Sequence, residues 1–366
     1  MSGLSCARTD VTEASRQPFV RCTSDGVATS CLDTSASVCD HRAERPAILV
    51  PFDCHVPFAM SNKRKGTFLP SLAAAAARDG ADLVIMLPKP RLQRIKFPTE
   101  ARDKLRSLGF TFVETDWVLP PNLSTSVARA ARSPGGGAGC CGARSFHKLH
   151  AFGLEQYDAV AMVDSDLVVA PNASLRPLFD CAASGYAMST RGAGSGSNAG
   201  LVVLRPSLAF KHSLLGLLAS STVSDEAGWN GAGWGPFGCL PNGMVYEGFG
   251  MQGFIYHSLF QRAADPAAWG HIRWTAALDP CVWNAQAGLA RQCRPELCSG
   301  ETRVYHHVEA QLPVLCGKSA AAADASRGAG RQRASPRAAA HVSSGGCAAT
   351  PGCCARHPGA CRTGRA

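Results

Sequence analysis

The chain has 366 residues, 46% hydrophobic and 17% charged, a globular composition long enough for one large α/β domain and incompatible with disorder throughout. Its formal net charge of +10 is uneven. Residues 318–366 hold eight Lys/Arg against one acid, so seven of those charges sit on a low-complexity tail, which argues against a nucleic-acid-binding core. Seventeen cysteines are many, but the chain is too large to be a disulfide-built miniature domain; Cys281, Cys293, Cys298 and Cys316 could pair in a lumenal protein. No stretch reaches the roughly 18 apolar residues of a membrane span, and residues 1–45 lack an apolar signal core. The expectation is a cytosolic chain, or a Golgi-lumen one whose sequence starts further upstream.

Residues 1–45, rich in Ser, Thr and Cys, are expected to be a disordered leader. Order is expected to begin at Ala47–Phe52, an apolar run that reads as a buried strand. Gly66–Asp79 reads as a helix stopped by Gly80, and Ala81–Leu87 as a second buried strand closed by Pro88. Pro98–Leu108 reads as a helix and Phe110–Glu114 as a third strand. Strands alternating with helices imply a mostly parallel, doubly wound sheet that binds ligands beyond its carboxyl ends. Ser133–Gly142 reads as a glycine-rich loop without the lysine signature of a phosphate cradle, and His147–Tyr157 as a helix. Ala159–Val163 is the strongest strand signal, Asn198–Arg205 another, and Ser207–Ala219 a helix. Gly228–Gly250 reads as a long ordered loop over the site, and the chain from Gly317 onward as a disordered tail. The expected division is therefore a leader at 1–45, one domain at 46–317 and a basic tail at 318–366.

Chemistry concentrates at Asp164-Ser165-Asp166, which follows the apolar run Ala159–Val163 directly. Two carboxylates leaving the end of a buried strand can turn toward one point, and hard divalent cations take oxygen ligands shared with a substrate's phosphates. Turn capping is the structural alternative for such a pair.

The stretch from Lys148 to Val169 resembles the KLxxxxLxxYDxVxxLDxDxxV signature of the glycogenin-like glycosyltransferases, family 8. Further stations follow in that family's order: Asn172–Asp180, Asn198–Ser207, Gln252-Gly253-Phe254, Leu278–Asn284 and Val304–Val308. Val50–Met60 roughly matches its first strand and nucleotide loop. The resemblance covers about residues 46–317 and implies a single GT-A-type, Rossmann-like α/β domain.

It also implies roles. Asp164, Asp166 and His306 (with His307 adjacent) would hold Mn²⁺ or Mg²⁺. Lys148 would supply fixed positive charge near the donor, and Asn198 and Gln252 would hydrogen-bond the transferred sugar. Val50, Phe52, His55 and Ser165 would line the nucleotide. The implied donor is a UDP-sugar, the acceptor a glycan, protein or small molecule, and the implied reaction retains anomeric configuration. Four positions depart from the family pattern: Met251 stands where an acid precedes Gln-Gly, Glu309 replaces a glycine, Leu312 replaces a lysine that grips diphosphate, and His55 stands where an aromatic ring often stacks on uracil. These departures motivate a second expectation, a catalytically inactive sugar- or nucleotide-binding homologue. A nucleotidyltransferase is a third, disfavoured because Val50–Gly66 carries no patterned phosphate loop. Asn122-Leu123-Ser124 and Asn172-Ala173-Ser174 are glycosylation sequons that matter if the chain is secreted.

Overall fold

The computed structural model describes residues 19–24, 27–32, 34, 39–52, 68–93, 97–130, 142–192, 195–224, 227–233, 248–261, 269, 271–286 and 302–306. Strands β3 (Pro46–Pro51), β4 (Asp82–Pro88) and β5 (Phe110–Thr115) form as the apolar runs predict, paired in parallel. Their connections are helices α1 (Phe68–Asp79) and α2 (Thr99–Ser107). In α1 the buried residues Phe68, Leu69, Leu72, Ala75 and Ala76 recur at helical spacing, and Gly80 ends the helix at φ 64°.

Seven strands make the main sheet, in the order β12-β8-β9-β6-β3-β4-β5. Here β6 is Ala159–Val163, β8 Tyr186–Gly192, β9 Ser195–Leu204 and β12 Trp274–Leu278. All are mutually parallel except β9, which is antiparallel to both neighbours. The fold is thus the expected α/β class with a mostly parallel central sheet and flanking helices. β3 and β4 each feed two cores. Ile48, Val50, Leu83 and Ile85 pack into one, with α1 and α4 (Arg176–Ala183); Ala47, Leu49, Val84 and Met86 pack into the other. That second core also holds Phe210, Leu214 and Leu218 of α5 (Leu208–Ser220), a helix capped by Ser207 Oγ accepting from Phe210 N–H. A smaller sheet, β13-β14-β7, combines Ala285–Gln286, Val304–His306 and Leu167–Val169, and the short strands β10 (Val223–Ser224) and β11 (Gly228–Trp229) pair antiparallel with each other.

Two expectations change. The leader is not wholly disordered: β1 (Phe19–Ser24) and β2 (Val27–Leu32) form an antiparallel hairpin, and Cys39 is disulfide-bonded to Cys181 on α4. Backbone groups of residues 41–45 bond to Ser184, Asp180 and Asp158, which holds this strap against the domain. The helix expected at His147–Tyr157 is a 3-10 helix at Gly142–Gly153, with His147 through Phe152 buried. It stops where the chain turns at Leu154, whose carbonyl accepts from Tyr157 N–H. The strand expected at Asn198–Arg205, whose direction the sequence left open, is present as β9, antiparallel to β8. The loop expected at Ser133–Gly142, most of Gly228–Gly250 and the tail lie outside the described residues.

Candidate functional site

The topology explains how residues far apart in sequence meet. β6 delivers Asp164-Ser165-Asp166 at its carboxyl end, and β7 starts immediately afterwards at Leu167. β9, being reversed, begins where β6 ends: Val163 pairs with Leu201, and Asp164 N–H donates to Gly200 O at 2.8 Å. β14 pairs antiparallel with β7, placing His306 opposite Leu167.

The side chains follow. Lys148 Nζ lies 2.6 Å from Asp164 Oδ1 and donates to Ala199 O at 3.2 Å. His306 Nε2 lies 3.2 Å from Asp166 Oδ1, while its Nδ1 donates to Asn284 Oδ1 at 2.8 Å. Asn198 Oδ1 accepts from Gly200 N–H at 2.7 Å, and Gln252 Oε1 from Ala199 N–H at 3.3 Å. Gln252 is presented by α6 (Met251–Tyr256). Gly200 marks the meeting point: a Cβ built there would lie 2.5 Å from Asn198 Oδ1, 3.2 Å from His306 Cε1 and 3.4 Å from Asp164 Oδ2. Lys148, Asn198, Gln252 and His306 are buried, whereas Asp164, Ser165 and Asp166 are half-exposed. The buried Lys148 ammonium has an opposite partner in Asp164.

Burial, then the charges of His150 and Arg144, pushes His147 down to about 3; burial, then Lys211, pushes His150 down to about 4. Both imidazoles flanking Lys148 are therefore neutral. His147 bonds Thr115 Oγ1 at 2.6 Å and His150 bonds Trp117 O at 3.0 Å, so they serve the packing of the 3-10 helix.

Does this set suit a divalent cation? Among the described residues no three His, Cys, Asp or Glu side chains close into a finished metal centre. The set is partly gathered: Asp166 and His306 touch, Asp164 touches Lys148, and both Asp164 and His306 border Gly200. Two donors at right angles about 2.2 Å from one ion stand about 3.1 Å apart, close to the separation of His306 Nε2 and Asp166 Oδ1. The bond from Nδ1 to Asn284 aims Nε2 at the carboxylates, as an outer partner does for a ligating histidine. Hard oxygens plus one imidazole suit Mn²⁺ or Mg²⁺, so the residues fit the implied ion.

Other expected site residues fall elsewhere. Val50 and Phe52 are 0% and 1% exposed; both belong to the first core, and the Phe52 ring meets Phe97 at 5.9 Å. Their side chains pack into that core. His55, His307, Glu309 and Leu312 lie outside the described residues. Met251 is 0% exposed and belongs to the second core. Gly253 is fixed by crowding, since a Cβ there would lie 1.8 Å from Gly248 O. Asn284 had no role assigned from sequence; its only signal was its place at the end of the Leu278–Asn284 station.

No protein-family profile matches the chain, and neither does any curated protein. Solved structures that align with it include the glycosyltransferase GlyE of Streptococcus pneumoniae TIGR4, at 17% identity and TM-score 0.38 over 72% of this chain and 55% of that one. The chain therefore spans about half the length of that protein. Mouse xyloside xylosyltransferase 1 aligns at 14% identity and TM-score 0.36, covering 73% and 98% of the two chains. The galactosyltransferase LgtC, solved with donor and acceptor sugar analogues, aligns at 11% identity and TM-score 0.34, covering 74% and 95%. Likeness at this level decides nothing about activity.

Proposed function

We propose that this chain is a glycosyltransferase that moves a hexosyl or hexuronosyl group from a UDP-sugar to an acceptor hydroxyl, with retention of configuration. One observation carries the proposal: Lys148, Asp164, Asp166, Asn198, Gln252 and His306 come from five separate segments to the ends of β6 and β9. The ordered stations shared with the glycogenin-like family support the same assignment and supply the retaining stereochemistry and the nucleotide.

In the proposed reaction the bond from the anomeric carbon to the diphosphate oxygen breaks. A bond to the acceptor oxygen forms on the same face, and the acceptor proton passes to the departing diphosphate. Asp164, Asp166 and His306 would hold Mn²⁺ or Mg²⁺, which when bound offsets the negative charge of the diphosphate. Lys148 orients Asp164 through their 2.6 Å contact, and brings positive charge to the same edge. Asn198 and Gln252 each have the amide oxygen pinned by a backbone N–H, which fixes the amide plane before a sugar arrives. Such pre-set amides discriminate among hydroxyl patterns.

The test is UDP release from a panel of UDP-sugars by the full chain, with Mn²⁺, with Mg²⁺ and with a chelator. Metal-dependent release that the chelator abolishes is expected. A second assignment, an inactive sugar- or nucleotide-binding homologue, is favoured by one observation: Met251 lies in the core where the resembled family has an acid. UDP-sugar binding without release of UDP from any donor would establish it instead.

A further inference from the structure

We infer that this chain matures in an oxidising, glycosylating lumen and carries N-linked glycans at Asn122 and Asn172. The inference is independent of the activity proposed above.

The first line of support is redox. Cys39 and Cys181 are bridged across 142 residues of sequence, and Cys281 is disulfide-bonded as well. Cytosolic thiols are kept reduced, so structural bridges belong to secretory compartments. The first bridge is not a chance meeting of two sulfurs. His41 N–H donates to Ser184 Oγ at 3.1 Å, Ala43 N–H to Asp180 Oδ1 at 3.0 Å, and Glu44 and Arg45 N–H to Asp158 at 2.7 and 2.9 Å. Arg176 returns a bond to Ala43 O. The strap is thus set in register on α4 by hydrogen bonds, and the disulfide, with Cys181 0% exposed, closes an arrangement already fixed.

The second line is the sequons. Asn122 follows Pro121 in a turn between β5 and α3 (Thr125–Ala130); Asn172 follows Pro171 in a turn between β7 and α4. Both asparagines are exposed. Their partner serines are engaged: Ser124 Oγ donates to Ser221 O, and Ser174 Oγ donates to Asp79 Oδ1 at 2.6 Å and accepts from Arg176 N–H at 3.0 Å. A transfer enzyme that needs the serine hydroxyl must therefore act on the nascent chain, and the folded protein then leaves room for the product. Neither glycan obstructs the candidate site. β7 starts beside Asp166 and runs away from it toward Asn172, while Asn122 follows the edge strand β5, three strands from β6, or about 14 Å at the usual spacing.

The chemistry balances with co-reactants of such a lumen. Each pair of thiols loses two electrons and two protons to a disulfide-carrying oxidant, which becomes a dithiol. Each asparagine forms a bond from its carboxamide nitrogen to the reducing-end carbon of a lipid-diphosphate oligosaccharide. That carbon's bond to phosphate breaks, the lipid diphosphate leaves, and the carboxamide proton goes to solvent.

The experiment uses full chain purified from the cells that make it. Thiols are alkylated before reduction and labelled differently afterwards, and peptides are mapped by mass spectrometry with and without peptide-N-glycosidase. Cys39 and Cys181 should carry only the second label. Asn122 and Asn172 should bear glycans that the glycosidase removes, leaving aspartate at each position. Occupancy of one asparagine alone upholds that site and rejects the other. Unmodified asparagines at both positions overturn the glycan assignment even if the cysteines are bridged, and first-label alkylation of Cys39 and Cys181 overturns the compartment.

Discussion

The two halves of the main sheet use one backbone geometry for different ends. In β3 and β4 the strand interiors are apolar on both faces, all neighbours are parallel, and the carboxyl ends are closed by Pro51 and Pro88. In β6 and β9 the interiors are equally apolar, but the shared end carries Asp164, Asp166, Asn198 and, alongside, Lys148 and His306. The reversal of β9 makes the difference. A parallel neighbour brings only another strand end to the ligand edge. An antiparallel one brings a strand start, with its backbone N–H and C=O groups in place to hold Asp164, Gln252 and Lys148. Charge is gathered there without being driven into either core.

If that division is right, substitutions on the two halves should separate stability from turnover. The largest effect is expected from Met251→Asp, which puts a carboxylate into the second core and should cost about 3–5 kcal/mol of unfolding free energy in chemical denaturation. A Met251→Asp protein of ordinary stability with raised donor turnover would show instead that position 251 faces the ligand. Asp166→Asn should lower turnover roughly 10² to 10³-fold with little change in melting temperature, because a half-exposed turn residue bears little packing. Full metal-dependent activity in that variant would remove the two acids from the chemistry. Asn284→Ala takes away the partner of His306 Nδ1 and should weaken apparent Mn²⁺ affinity about 10 to 100-fold in titrations of activity. A shift in melting temperature alone would reduce Asn284 to a packing residue. The smallest effect belongs to the other half: Ile85→Val should cost about 0.5–1.5 kcal/mol in stability and leave kcat unchanged. A fall in kcat there would mean the halves are not separable.

Legibility in the sequence followed range of interaction. β3, β4, β5 and β6 could be read from their apolar runs because a buried parallel strand is hydrophobic along its whole length. Asp164 and Asp166 could be read because they abut such a run. The reversal of β9 could not, although its signal exists: Gly192, Gly194 and Gly196 cluster where β8 gives way to β9, as glycines do at hairpin turns. The core packing of Val50 and Phe52 could not be read either, because an apolar residue at a strand end suits a core as well as a ligand wall. The strap at residues 39–45 was hidden since its bonds are made by backbone groups, which leave no mark in residue type. Asn284 was hidden because an amide behind a histidine is specified by position alone.

The pairing of β14 with β7 carries a consequence for biosynthesis. The seven-stranded sheet has all its strands once Leu278 has been made, but His306 reaches Asp166 only after 28 further residues. At about 5–20 residues per second, a ribosome takes a second or more to close that gap. The growing chain thus owns its scaffold before it owns its site, and a product cut short between the two would be a sheet with the acids in place and the histidine missing.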